Sequence, residues 1–134
     1  MQQGRELFFS AVDPLMSSTG AGVSCGTCHF DGRTDGLTWN LEGLGRQTPS
    51  LAGVVSETAP VTWFDEVPTI ADEAMVTSQQ RMGGDDMRRH DAEQIAAFVD
   101  WTREVDHADK GAETEAVARG QAIFESAEVG CADC

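Results

Sequence analysis

Residues 23–36 read VSCGTCHFDGRTDG, and the fold turns on what Cys25, Cys28 and His29 do together. Two cysteines three positions apart in a helical turn share one face. With a histidine directly behind them they form Cys-x-x-Cys-His, the attachment signature of c-type haem. Both thiols can then reach the two vinyl groups of one porphyrin, while the imidazole projects at the iron. Other chemistries use the same pair. A structural zinc site needs four ligands on one tetrahedron, usually with about 15–20 residues between the two pairs. Here 102 residues separate Cys28 from the second pair, Cys131 and Cys134. A thioredoxin-like redox pair belongs near a βαβ pattern, and few alternating β-branched runs occur in this chain. Two local disulfides are the plainest alternative. A zinc-binding or disulfide-stabilised interaction domain without haem therefore stands beside the haem reading.

Composition narrows the setting. A chain of 134 residues has room for one ordinary domain and the start of a second. With 40% hydrophobic and 24% charged residues it is globular in character, and no apolar run approaches the ~18 residues of a membrane-spanning helix. Nine Lys and Arg against 23 Asp and Glu leave a net charge of −14. Such a surface repels phosphate backbones and anionic headgroups, so nucleic acid is not expected as a partner; the charge suits steering of a basic redox partner, or simply a solvated, colloidally stable surface. The opening MQQGRELFFS carries neither a basic region nor an apolar stretch of export-signal length.

A short repeat links the two cysteine pairs. Gly4 to Ser10 read GRELFFS and Gly120 to Ser126 read GQAIFES; both are Gly-x-x-apolar-Phe-x-Ser, and both precede a Cys-x-x-Cys. Repetition of one supersecondary unit implies a second domain. The expected division is a haem domain over 1–110 and, over 111–134, the first helix and truncated haem motif of a second such domain, with His expected after Cys134.

Between these landmarks, residues 3–12 are expected to be helical, with Leu7, Phe8, Ala11 and Val12 on one face and Asp13-Pro14 ending the segment. Residues 17–24 and the Gly, Asn and Pro-rich run beyond His29 are read as loops; so long a loop suits a chain wrapped around a cofactor. A short helix follows Pro68, capped by Thr69. The strongest helix spans 92–104, with Asp91 as its cap, Gln94 completing a capping-box variant, and Ile95, Phe98, Val99 and Thr102 on one stripe. VDHADKGAE, residues 105–113, is a polar linker.

On these residues the chain resembles a known family. Gly-x-x-x-Phe before Cys-x-x-Cys-His, and DAEQIAAFVDW near the other end, look like the first and last helices of the class I cytochrome c fold. The segments DGRTDG, RQTPSLAG and TAPVTWFDEVPTIADEA look more specifically like the bacterial di-haem cytochrome c peroxidase group and its methylamine-utilisation relatives. The resemblance implies an all-α, cytochrome c-like fold with long haem-wrapping loops, and a small residue, Gly4, letting the first helix cross closely over an aromatic such as Phe98. It implies haem c held by Cys25, Cys28 and His29, and a second haem at Cys131 and Cys134 in a longer chain. One departure stands out: where the group often places an axial Met or His ahead of an Asp-Gly turn, this chain has Trp63-Phe64-Asp65-Glu66, and neither aromatic ligates iron.

The sixth ligand must then come from elsewhere or be absent. Of Met1, Met16, Met75, Met82 and Met87, Met82 in RMGGDDM stands 13 residues ahead of Ile95, where simple class I cytochromes carry their ligand, and the two glycines behind it would let the backbone approach the haem edge. Met75 ranks next, then Met87. His90 and His107 are weaker. Arg46, beside TPSL, suits a haem propionate or a surface ion pair. Trp39 and Trp63 are candidate pocket walls, and Trp101 is as readily a packing residue. Glu57, Asp65 and Glu66 are the carboxylates that could serve acid-base chemistry, though ordinary surface carboxylates account for all three. Two functions follow: an electron-transfer module working with a second haem domain, or one half of a di-haem peroxidase or oxidase acting on hydrogen peroxide. Covalent haem attachment implies a periplasmic or otherwise extracytoplasmic location.

Overall fold

Two helices cross where one of them has no room for a side chain. The computed structural model describes residues 1–41, 43–53, 55–62, 66–102 and 114–133. Within them α1 (Gln2–Phe9) lies across α4 (Arg89–Trp101) at Gly4. A Cβ at Gly4 would stand 1.9 Å from the Gln94 carbonyl oxygen and 2.4 Å from its carbon. The approach is therefore backbone to backbone, open only to glycine. The close partner is the Gln94–Ile95 peptide, a correction to the expected crossing over Phe98. Phe98 instead packs edge-on against Phe8 at 5.3 Å and Phe9 at 6.0 Å.

The core grows from this crossing. Leu7 and Phe8 of α1 and Ile95, Phe98 and Val99 of α4 are buried together with Met16, Met87 and Ala92. The apolar stripe of α4 lies where its periodicity put it. α1 is shorter than expected, ending at Phe9, and Val12 is 91% exposed.

Asp91 is a second correction. Helix α4 begins at Arg89, so Asp91 sits inside its first turn and is not its cap. It is fully buried and accepts hydrogen bonds from Gln3 Nε2 (2.8 Å) and Arg88 Nε (2.9 Å). A buried carboxylate is tolerated only with such partners, and its place near the positive end of the helix dipole adds to the balance.

The remaining elements are short. α2 (Cys25–Cys28) is a single turn. α3 (Ile70–Val76) starts at Thr69, whose hydroxyl accepts from the Asp72 amide as expected of a cap, and continues through a wider turn over Thr77–Arg81. α5 (Thr114–Phe124) carries the repeated Gly-x-x-apolar-Phe, with Ile123 60% and Phe124 55% exposed. The expected linker, 105–113, lies outside the described residues.

The all-α expectation is overturned. β1 (Thr38–Leu41) pairs antiparallel with β2 (Leu44–Gln47), Thr38 opposite Gln47 and Leu41 opposite Leu44. This hairpin occupies a stretch read as irregular, so the fold mixes five α-helices with a two-stranded sheet among the described residues. Thr38 and Trp39 favour extended backbone, and Gly43, at φ 82°, supplies the left-handed turn that a tight hairpin needs. Asp35 fixes the entry to β1, accepting from the Leu37 amide (2.9 Å) and Trp39 Nε1 (2.8 Å).

The crossing is directly testable. Gly4→Ala should cost about 1–3 kcal/mol of stability, because the two backbones must part. Gly120→Ala at the matching place on α5, where nothing lies within 4 Å, should leave the denaturation midpoint unchanged or raise it, since alanine is the better helix former. Equal midpoints for the two variants in urea would contradict the crossing.

Candidate functional site

The Cys-x-x-Cys turn is held from both sides. Ahead of it the Ser24 amide donates to Thr27 Oγ1 at 3.0 Å, which fixes the start of α2. Against it lies Phe9 of α1: a Cβ on Gly26 would meet the Phe9 ring at 2.5 Å. The glycine between the two cysteines thus lets α1 pack on the turn that carries them. Behind it Phe30–Gly32 forms a tight turn with Asp31 at φ 52°, and the Leu51 amide donates to the Gly32 carbonyl at 3.1 Å. That bond draws the Thr48-Pro49-Ser50-Leu51 segment beside His29.

The consequence is seen at the imidazole. His29 Nδ1 lies 3.1 Å from the Pro49 carbonyl oxygen and 3.3 Å from that of Arg33. Carbonyls only accept, so Nδ1 carries the proton and Nε2 keeps its lone pair. Burial lowers the pKa of His29, against the opposing pull of those two carbonyls and of Asp35 and Glu73, which favours the neutral ring. A neutral imidazole whose Nδ1–H is tied to a backbone carbonyl is the arrangement that orients a metal ligand.

The thiols are the reverse of activated. Burial pushes Cys25 up to about 12, with the charges of Cys28 and Glu73 adding to the effect. Burial also raises Cys28, helped by Asp35. A redox Cys-x-x-Cys works through a thiol of lowered pKa, so the thioredoxin-like alternative loses its chemical basis here. Cys25 and Cys28 are both free thiols. Among the described residues no three His, Cys, Asp or Glu side chains converge as a closed metal-ion site requires.

The other expected residues divide cleanly. Trp39 and Arg46 stand opposite each other in the hairpin. Side chains alternate along a strand and pair across it, so Leu41 and Leu44 share their face. Trp39, Leu41 and Leu44 are 37%, 39% and 48% exposed, which makes an apolar surface with a guanidinium at one end. Met87 and Met16 are consumed by the core, whereas Met82 and Met75 are partly buried against the same cluster as Cys25. Gly83 and Gly84 press on the Leu15–Ser18 backbone, where a Cβ on Gly84 would meet the Leu15 carbonyl oxygen at 2.5 Å. His90, Glu57 and Glu66 are exposed. Trp101, 62% exposed, lies 6.2 Å from Phe98. Cys131 opens a short turn as an exposed free thiol. Trp63, Asp65, His107 and Cys134 lie outside the described residues.

Two carboxylates escaped the sequence reading. Asp35 orients Trp39 and acts on Cys28; the Asp-x-Leu-x-Trp spacing was its only trace. Glu73 acts on Cys25 and His29 from α3, 44 positions beyond the histidine, and no local pattern points to it.

Comparison with protein-family models, with curated proteins and with solved structures found no match. The functional reading rests on the residues and their geometry.

A raised thiol pKa means less thiolate at a given pH. In haem-free folded protein at pH 8, iodoacetamide should therefore modify Cys25 and Cys28 more slowly than in the denatured chain, where cysteine titrates at about 8.5. Cys131 serves as the internal reference. Faster labelling of Cys25 in the folded state would overturn this description of the site.

Proposed function

We propose that this chain is a c-type haem module for electron transfer, with Cys25 and Cys28 as the thioether positions and His29 Nε2 as the proximal ligand. The observation that carries the reading is the bond from His29 Nδ1 to the Pro49 carbonyl, which commits one ring nitrogen and leaves the other for iron. The rest of the donor set fits the group. Two protonated thiols on one helical turn are suited to addition across vinyl groups, and the hairpin face of Trp39, Leu41 and Leu44 offers apolar area for a porphyrin. Arg46 at its end offers a partner for a propionate. Bound haem supplies one-electron transfer between its ferric and ferrous states.

The division of labour within the chain follows. Cys25 and Cys28 hold the group covalently; burial favours the neutral His29 ring, and the Pro49 and Arg33 carbonyls orient it. Met82 is the proposed sixth ligand, with Met75 the other partly buried thioether. The resemblance to the di-haem cytochrome c peroxidase group belongs to the same proposal, as do a second haem at Cys131 and Cys134 of a longer chain and an extracytoplasmic location. A basic redox partner fits the charge of −14. No helix among the described residues is long and apolar enough to cross a membrane.

The test is production with haem-attachment machinery in the periplasm. The chain should carry haem that survives denaturing electrophoresis, and Cys25→Ala with Cys28→Ala should abolish it. The ferric protein should be low-spin with a methionine-to-iron band that Met82→Ala removes. His29→Ala should change the axial spectrum. A high-spin ferric state that shifts on adding peroxide would replace electron transfer with peroxide chemistry. Protein matured in this way without covalent haem would end the haem reading.

A further inference from the structure

The turn that ends at Met82 is bonded to a loop far away in the chain. Helix α3 continues into the wide turn over Thr77–Arg81, and the Met82 amide donates to the Thr77 carbonyl at 2.9 Å. Turns one residue wider than an α-helical one occur often at functional sites. Beyond it the Met82 carbonyl accepts from the Ser18 amide at 3.0 Å, Ser17 and Gly83 form an antiparallel bridge, and the Asp85 amide donates to the Pro14 carbonyl at 2.7 Å. The backbone of Met82 is thereby held on both sides. Ser78 completes the arrangement from within the wide turn. It is fully buried; its hydroxyl donates to the Leu15 carbonyl at 3.1 Å, across 63 positions of sequence, and its own carbonyl accepts from the Gly84 amide at 2.7 Å. Gly84 fits there because it has no side chain: a Cβ would stand 2.5 Å from the same Leu15 carbonyl oxygen.

We propose that Ser78 is a positioning residue for the sixth ligand: its hydroxyl clamps the Met82 turn to the Leu15–Ser18 segment and so keeps the backbone of Met82 ordered before iron is bound. This rests on the reading above in which Met82 is that ligand. A thioether on a loose loop loses conformational freedom when it binds. One on a clamped loop has lost it already, and binding is favoured by the difference. Packing alone asks less of this position. An alanine would fill the space of Ser78 apart from one oxygen, as Ala71 and Ala74 do at their own places in the core. That oxygen is the atom that reaches Leu15. Met82 itself packs against the same core cluster as Cys25, so the clamp acts on a residue beside the cysteine turn's own support.

Competition with added imidazole on the ferric, haem-loaded chain tests this, since an outside ligand gains wherever the inside one is less well held. Imidazole should displace the methionine-to-iron band of Ser78→Ala at a concentration about twofold to tenfold below that for the wild type, the range set by one neutral hydrogen bond. Gly84→Ala, which pushes the turn off Leu15, should shift the titration the same way. Thr69→Ala removes the cap at the other end of α3, lowering stability without touching the clamp, and should titrate as the wild type does. Ser78→Ala that keeps both the band and the wild-type titration would overturn the proposal while leaving Met82 as the ligand. An equal shift in Thr69→Ala would overturn it too, because stability alone would then explain the effect. Should Ser78→Ala not be recovered folded, Gly83→Ala takes its place: Gly83 is exposed, and a Cβ there would press on the Ser18 side chain at 3.3 Å, so the same shift is expected and its absence would count against the clamp. A wild-type spectrum that Met82→Ala leaves unchanged would remove the ligand assignment and this proposal together.

Discussion

The contact of Gly4 with the Gln94–Ile95 peptide governs the rest of the structure. Because one residue lacks a Cβ, α1 and α4 meet backbone to backbone, and Phe8, Phe9 and Phe98 are brought into edge-to-face contact. Phe9, at the end of α1, then reaches Gly26, and through it the crossing positions the turn that carries both thiols. Asp91 reinforces the same junction from the polar side by taking a hydrogen bond from Gln3. Packing and chemistry are thus linked through a few named contacts, with little regular structure between them.

At the site, burial does two things that pull in one direction. It keeps the thiols protonated and the imidazole neutral, and the Pro49 carbonyl decides which imidazole nitrogen stays available. A nucleophilic or disulfide-exchanging pair would need the opposite electrostatics. The zinc alternative would need convergence from distant parts of the chain, and the described residues contain no such group. Attachment to a group that brings its own iron demands only one local turn, one oriented imidazole and apolar area nearby.

Features with a local cause were legible in the sequence. The Cys-x-x-Cys-His turn, the Thr69 cap and the stripe of Ile95, Phe98 and Val99 each depend on residues within a few positions of one another. Features set by distant partners were not. Asp91 reads as a helix cap because Asp commonly is one, and only the presence of Gln3, 88 positions away, shows why it is buried. Arg46 and Trp39 looked like separate candidates, and pairing across a hairpin put them on one face. That hairpin was missed because Gly, Asn and Thr are equally at home in irregular loops; its register depends on Gly43 and on Asp35 holding Trp39.

The hairpin also bears on how the chain uses its apolar residues. Several core positions are alanines, while Phe30, Leu37, Trp39, Leu41 and Leu44, all within a short span after His29, remain exposed. Fully burying a large apolar side chain is worth about 1.5–3 kcal/mol, and these five, each between 37% and 66% exposed, forgo part of that. Exposed apolar groups concentrated in one stretch mark a binding surface more often than accident. A rigid, flat, mostly apolar group tethered a few residues upstream could cover such a surface without any further helix. On the haem reading proposed above, the stretch that looked too long and too loop-like for a compact domain would serve as one wall of a core shared with the porphyrin.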